Sequence, residues 1–171
     1  MNNNIFLIGF MGSGKSTVGN ILSKRLGYSF VDTDELVEED CEISICTMFD
    51  KFGEKYFREK EYVALKKVLE NKNQVVSTGG GIVTYDKSRE LLEGQEVYYI
   101  DVDSETVYQR LKSDSTRPLL KNSSFEKMSD LLSIRKKIYE NTCTRKIDGK
   151  KEPEKVAEDI IFNMTVIHDK P

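Results

Sequence analysis

The chain reads as an α/β protein, a three-layer α/β/α sandwich around a five-stranded parallel sheet. Three observations predict it. Short apolar runs alternate with helical patterns along the chain, which implies right-handed crossovers and parallel strands. The runs are continuously apolar rather than alternating, as strands buried on both faces are. The first of them, Ile5-Phe6-Leu7-Ile8, passes through Gly9, Gly12 and Gly14 into a helix opening at Lys15-Ser16-Thr17. That passage has the spacing G-x-x-x-x-G-K-S, filled by Gly9, Gly14, Lys15 and Ser16, and lies between strand and helix as a phosphate-binding P-loop does.

In order, the helix after the loop carries Val18, Ile21, Leu22 and Leu26 at helical spacing and ends at Gly27. Residues 28–31 form a second strand that runs into Asp32-Thr33-Asp34. An open α/β sheet places its ligand chemistry at that end of a strand. Residues 35–41 are helical, and 43–52 form a second helical piece, broken by Gly53 from a long charged helix over 54–70. Gln74-Val75-Val76-Ser77 is a third strand, emptying into Thr78-Gly79-Gly80-Gly81. A short helix includes 88–92, and Val97-Tyr98-Tyr99-Ile100 is the most β-like run. Residues 104–112 are helical with Ser104 as N-cap. The pattern fails over 113–125, the expected mobile lid. Helix returns over 125–141, followed by a weak fifth strand at 146–148, a loop at 149–153 and a closing helix over 154–164. The whole, residues 1–171, is expected to be one domain: a core of about 1–112 and 127–171, a lid of about 113–126, and a substrate-binding region within about 32–61.

Composition narrows the function. A net charge of −3 over 171 residues makes general binding to nucleic acid or anionic membrane a poor expectation. Anionic ligands then depend on local arginines and lysines. Cys41, Cys46 and Cys143 are odd in number and lack C-x-x-C spacing, against a disulfide framework or zinc site. The only histidine, His168, sits in a polar tail, so histidine-based catalysis is not expected. No apolar stretch approaches a membrane span, and the first strand begins too early for a signal peptide. A cytosolic monomer is the expectation.

Phosphoryl transfer needs a phosphate cradle, a metal, positive charge around the moving group and an aligned acceptor. Gly12, Ser13, Gly14, Lys15, Ser16 and Thr17 supply the cradle, with Lys15 for the outer phosphates and Ser16 for magnesium. Asp32 has two readings, a carboxylate of the metal shell or a helix N-cap; the same oxygen cannot easily serve both, and the metal shell is preferred. Asp34 can orient or deprotonate an acceptor hydroxyl, or be a solvated acid of a first helical turn. Arg58 and Glu61 lie at i, i+3 and, on spacing alone, read as an ordinary surface pair. Phe49 and Phe57 are core or the walls of a pocket. Gly79-Gly80-Gly81 marks close approach of backbone to a ligand, or a flexible loop. Arg117 suits a lid arginine that covers phosphate and excludes water. Arg110 and Arg135 read as solvated basic positions, and Lys150-Lys151 as surface or as neighbours of a nucleotide base.

Taken together in their frames, these residues resemble the shikimate kinase family, nucleoside monophosphate kinase-like P-loop enzymes. The resemblance rests on Gly9 to Thr17, Phe30-Val31-Asp32-Thr33-Asp34, Gly53-Glu54 with Phe57-Arg58 and Glu61, Gly79-Gly80-Gly81, Arg117-Pro118-Leu119-Leu120, and Arg135 with Tyr139. It covers nearly the whole chain. It implies transfer of the ATP γ-phosphate to the 3-hydroxyl of shikimate, with one Mg²⁺ accompanying ATP, in the route to chorismate and the aromatic amino acids. On that resemblance Lys15 and Ser16 hold phosphate and magnesium, with Asp32 in the metal shell. Asp34 binds the acceptor hydroxyls and is the candidate base. Arg58 and Arg135 grip the carboxylate, Phe49 and Phe57 flank the ring, and Gly79, Gly80 and Gly81 border it, with Gly80 in backbone contact. Lys15, Asp34 and Arg117 form the catalytic set, while Arg110 and Lys151 lie near adenine. Lys151 stands where the family often carries an arginine. Gluconate and nucleoside monophosphate kinases lack the Arg58 and triple-glycine frames. A nucleotide sensor without turnover should have lost Asp34, Arg58 or Arg135, and all three are present.

Overall fold

The central strand β1 (Ile5–Ile8) is flanked by β3 (Gln74–Ser77) and β4 (Glu96–Asp101), with β2 (Ser29–Asp32) and β5 (Arg145–Asp148) at the edges. All four neighbouring pairs are parallel, in the order β2-β3-β1-β4-β5. This computed structural model describes residues 4–112 and 124–168. Arg117 and most of the expected lid lie outside the described residues. Every residue of β1 and β3 is buried, as is the middle of β4, so both faces of the sheet are covered. The edge strands are more open, which explains why β5 is weak in the sequence: only Ile147 of it is buried.

Seven helices connect and cover the strands among the described residues: α1 (Lys15–Leu26), α2 (Thr33–Cys41), α3 (Ile45–Leu69), α4 (Asp86–Leu92), α5 (Ser104–Lys112), α6 (Phe125–Thr142) and α7 (Pro153–His168). A 3-10 turn, Ile82–Thr84, follows the triple glycine and is not foreseen in the sequence. The main core gathers β1, β3 and β4 with Val18, Leu22, Leu65, Ile82, Tyr139 and Ile160. A second, smaller cluster joins Val37, Met48, Phe57 and Ala64 between α2 and α3.

Local chemistry corrects several boundaries. α2 begins at Thr33, two residues earlier than expected, because the Asp34 amide donates to Asp32 Oδ1 at 3.0 Å and caps the helix. α5 is capped by Asp103, not Ser104: the Thr106 amide donates to Asp103 Oδ1 at 2.8 Å. The two helical pieces on either side of Gly53 form one element, α3, with a kink where Gly53 takes φ 79° and ψ 173°. Space is not the constraint there, since nothing lies within 4 Å of an added Cβ. The positive φ alone calls for glycine.

Candidate active site

The P-loop runs from the end of β1 to the start of α1. Gly12 and Gly14 adopt φ 75° and 95°, turning the backbone so that amides line the inside of the curve. Gly9 has a further requirement, since a Cβ there would stand 2.8 Å from the Ile100 carbonyl oxygen of β4. Lys15 is the first residue of α1 and is buried. Its ammonium donates to the carbonyls of Gly9 and Phe10, both at 2.9 Å, and to Ser13 Oγ at 3.4 Å. It therefore lies over the loop it belongs to.

Ser16 meets Asp32 as the sequence suggests. Its hydroxyl donates to Asp32 Oδ2 at 2.8 Å and lies 3.2 Å from Ser77 Oγ at the end of β3. The choice between cap and metal ligand for Asp32 dissolves, because the carboxylate divides the work: Oδ1 caps α2 and Oδ2 faces Ser16. Ser77 is missed by sequence reasoning. The only signal for it is its place at the end of the strand beside β1. The three clustered oxygens are hard donors of the kind magnesium takes, with a single carboxylate among them. Such a site leaves most of the ion's coordination to water and phosphate.

The second half of the site is built around Gly79-Gly80-Gly81. Each glycine is met by different side chains. A methyl on Gly79 would overlap the carboxylates of Glu61 and Asp34, and one on Gly81 would overlap the Arg58 guanidinium. Gly80 accepts hydrogen bonds from Arg135 Nη1, at 3.4 Å, and from the Tyr139 hydroxyl. The triple glycine is thus close-packed rather than a loose loop. The Gly79 amide donates to Thr33 Oγ1 at 3.0 Å, so buried Thr33 ties the Asp32–Asp34 turn to this segment. Thr33 is another residue the sequence does not single out.

Arg58 and Glu61 depart from the sequence expectation. They form a buried ion pair, not a surface one, with Arg58 8% and Glu61 1% exposed. Glu54 adds contacts to Arg58 Nη2 at 3.0 Å and Nε at 3.2 Å. Burial pushes Glu61 up to about 7, against the pull of Arg58 and with the help of the Asp34 charge. Arg135 is likewise buried, at 9% exposure, instead of lying on a solvated basic face. Its guanidinium stands 5.9 Å above the Phe10 ring. Phe49 and Phe57 pair at 4.9 Å and belong to the smaller core cluster, while Arg58 lies 5.2 Å over the Phe57 ring.

A cavity of about 670 Å³ opens along the P-loop, within the size range of small-molecule sites. It takes in Gly12 to Thr17, Asp32, Asp34, Ser77, Gly80, Arg110 and Lys151. Phe49, Phe57, Arg58 and Arg135 do not contribute to this lining. Arg110 is half-buried, not a freely solvated residue. It donates to the carbonyls of Gly12 and Ser13, at 3.4 and 3.3 Å, and to that of Gly149, at 3.0 Å. Lys151 borders the cavity but pairs its ammonium with Asp159 at 2.6 Å. No helix of the described residues is long and apolar enough to cross a membrane.

The family model for shikimate kinase matches residues 11–165. The chain belongs to the shikimate kinase family. Curated members include the shikimate kinases of Sulfurihydrogenibium sp., 42% identical over 92% of this chain and 95% of that one, and of Aquifex aeolicus, 39% identical over 94% and 95%. Among solved structures, shikimate kinase from Acinetobacter baumannii in complex with shikimate superposes with a TM-score of 0.93 at 34% identity, covering 99% of this chain and 97% of that one. Deoxyadenosine kinase from M. mycoides with bound dATP shares only the fold, with a TM-score of 0.63 at 18% identity. Shikimate kinases thus match at both levels, sequence and structure.

Proposed function

We propose that the P-loop cavity holds ATP and that the groups gathered on Gly79-Gly80-Gly81 hold shikimate. The enzyme is a kinase that phosphorylates the 3-hydroxyl of shikimate with ATP, giving shikimate 3-phosphate on the way to chorismate and the aromatic amino acids. One observation supports the division of the site above all: the three glycines are touched in turn by Asp34 with Glu61, by Arg135 with Tyr139, and by Arg58. A small anionic polyol requires such a set, with guanidinium forks for its carboxylate and carboxylates for its hydroxyls.

In this assignment Gly12, Ser13, Gly14, Lys15, Ser16 and Thr17 cradle the phosphates. Arg110 and Lys151 border adenine, and Arg117 covers the transferring group. Ser16 and Asp32, joined by Ser77, would hold Mg²⁺, which when bound offsets charge on the β- and γ-phosphates. Arg58 and Arg135 bind the substrate carboxylate, with Phe57 backing Arg58 and Phe49 backing Phe57. The acceptor oxygen forms its bond to the γ-phosphorus as the bond from phosphorus to the bridging oxygen of ADP breaks. Asp34 accepts a hydrogen bond from the attacking hydroxyl and can receive its proton. A loose transition state asks little of a base, so alignment is the larger part of Asp34's role. We assign this reaction to a monomer in the cytosol.

The test is a coupled ADP-release assay with shikimate, gluconate and nucleoside monophosphates as acceptors, run on the unaltered enzyme and on Asp34→Asn. Turnover with shikimate alone is expected. Asp34→Asn should cut it by about 10²-fold, the cost of a misaligned acceptor, with the KM for ATP unchanged. Turnover with another acceptor, or undiminished turnover in the variant, would overturn the assignment.

A further inference from the structure

The Gly80 carbonyl is a junction between the two halves of the site. It accepts from Arg135 and from Tyr139, which lie one turn apart on α6 and so reach the same point. On its other side Gly80 lies against the P-loop. An added Cβ would stand 3.1 Å from the Met11 amide nitrogen and 3.5 Å from the Gly9 carbonyl oxygen. One peptide is therefore clasped between the loop for the donor phosphates and the helix that carries a substrate arginine.

Tyr139 is itself held in place. It is fully buried, and its ring stacks on Tyr99 of β4 at 5.0 Å and 24°. The Tyr99 hydroxyl donates to Asp101 Oδ1 at 2.7 Å. Asp101 in turn pairs with Lys146 at 2.9 Å and Lys136 at 3.6 Å. Burial raises the Tyr139 hydroxyl to about 12, so it remains a hydrogen-bond donor throughout the physiological range.

The two donors to Gly80 differ in what else they can do. Arg135 makes a long bond with one nitrogen of a guanidinium whose fork suits a carboxylate. Tyr139 has one hydroxyl proton and places it on Gly80. A carbonyl fixed in direction also fixes the following amide, because the peptide is planar and trans. Given the assignment of Gly80 and Arg135 to the shikimate site, we propose that Tyr139 is a positioning residue of that site. Its hydroxyl holds the Gly80–Gly81 peptide in place while Arg135 engages the substrate carboxylate.

Tyr139→Phe keeps the ring and removes the donor. The KM for shikimate should rise about tenfold, the loss of one hydrogen bond to a buried acceptor, while the KM for ATP stays within about twofold. A tyrosine needed only for packing would change the melting temperature and neither KM. Placing 4-aminophenylalanine at 139 restores an N–H donor and should return the shikimate KM to within about threefold of the unaltered enzyme. An unchanged shikimate KM in Tyr139→Phe, or an equal rise in both KM values, overturns the proposal. Should Tyr139→Phe fail to fold, 3-fluorotyrosine at 139 keeps ring and donor but alters the donor's acidity; a shift in the shikimate KM alone supports the role and no shift overturns it. Arg135→Ala separates the two levels of inference. No effect of Arg135→Ala on the shikimate KM means that the site assignment itself fails. A rise with Arg135→Ala but none with Tyr139→Phe means that only the positioning role fails.

Discussion

At Glu61 a carboxylate that is 1% exposed faces the Arg58 guanidinium and the like charge of Asp34. Burial outweighs the attraction and raises it from 4.5 to about 7. The folded protein then binds more protons than the unfolded chain between those values. Glu61 contributes stability that is fully present below pH 4.5 and is lost as pH rises through 7. Glu61→Gln should flatten that part of the profile. The difference in slope, integrated across the window, is about 3 kcal/mol at most and is read by urea unfolding at a series of pH values. Sequence spacing could not reveal this residue's situation. An i, i+3 pair looks the same on a wet helix face as on a buried one, and this pair packs against Gly79 and Gly81, about twenty residues away. Asp32 shows a second kind of blindness. Its two candidate roles compete only if a carboxylate is treated as one atom, and its two oxygens take one partner each.

At the scale of elements, the strand–loop–helix of the P-loop and the parallel sheet are legible because their signals are local: glycine spacing, apolar runs and caps. The triple-glycine segment is only half legible. Its glycines announce a close approach, but what approaches comes from three elements: α2, α3 and α6. Ser77 and Thr33 are hidden in the sequence for the same reason, since each makes its contact across more than forty residues of chain. The segment makes a sharp prediction. Gly79 has no positive φ to justify it, yet a methyl would overlap two carboxylates. Gly79→Ala should therefore lower stability by about 1–3 kcal/mol through overpacking. It should also weaken shikimate binding by displacing Asp34, as followed by thermal melting and titration calorimetry.

At the scale of the molecule, the P-loop, Asp32, Ser77 and Gly79-Gly80-Gly81 all lie at the carboxyl ends of strands, where an open α/β sheet presents its ligands. The two halves of the site lie on different parts of the sheet. Gly79 to Gly81 follow β3, whereas Gly149 follows β5 at the opposite edge. Arg110 bridges the P-loop to the latter. Arg110→Ala should raise the KM for ATP about tenfold, the cost of freeing the loop carbonyls it holds, and leave the KM for shikimate within about twofold. Steady-state kinetics with each substrate varied in turn would show it. A comparable effect on both substrates would mean that Arg110 supports the whole sheet edge and not the nucleotide side.

Lys15 has a consequence for which anions the enzyme ignores. Its ammonium is solvated by the loop's own Gly9 and Phe10 carbonyls, so an arriving anion must win an exchange and does not simply meet a bare cation. A polyphosphate brings several charged oxygens to that contest and also engages the loop amides. A lone carboxylate or chloride brings too little to displace two amide oxygens. The loop's own carbonyls thereby compete with any anion for Lys15, an exchange that favours a polyphosphate over a lone small anion.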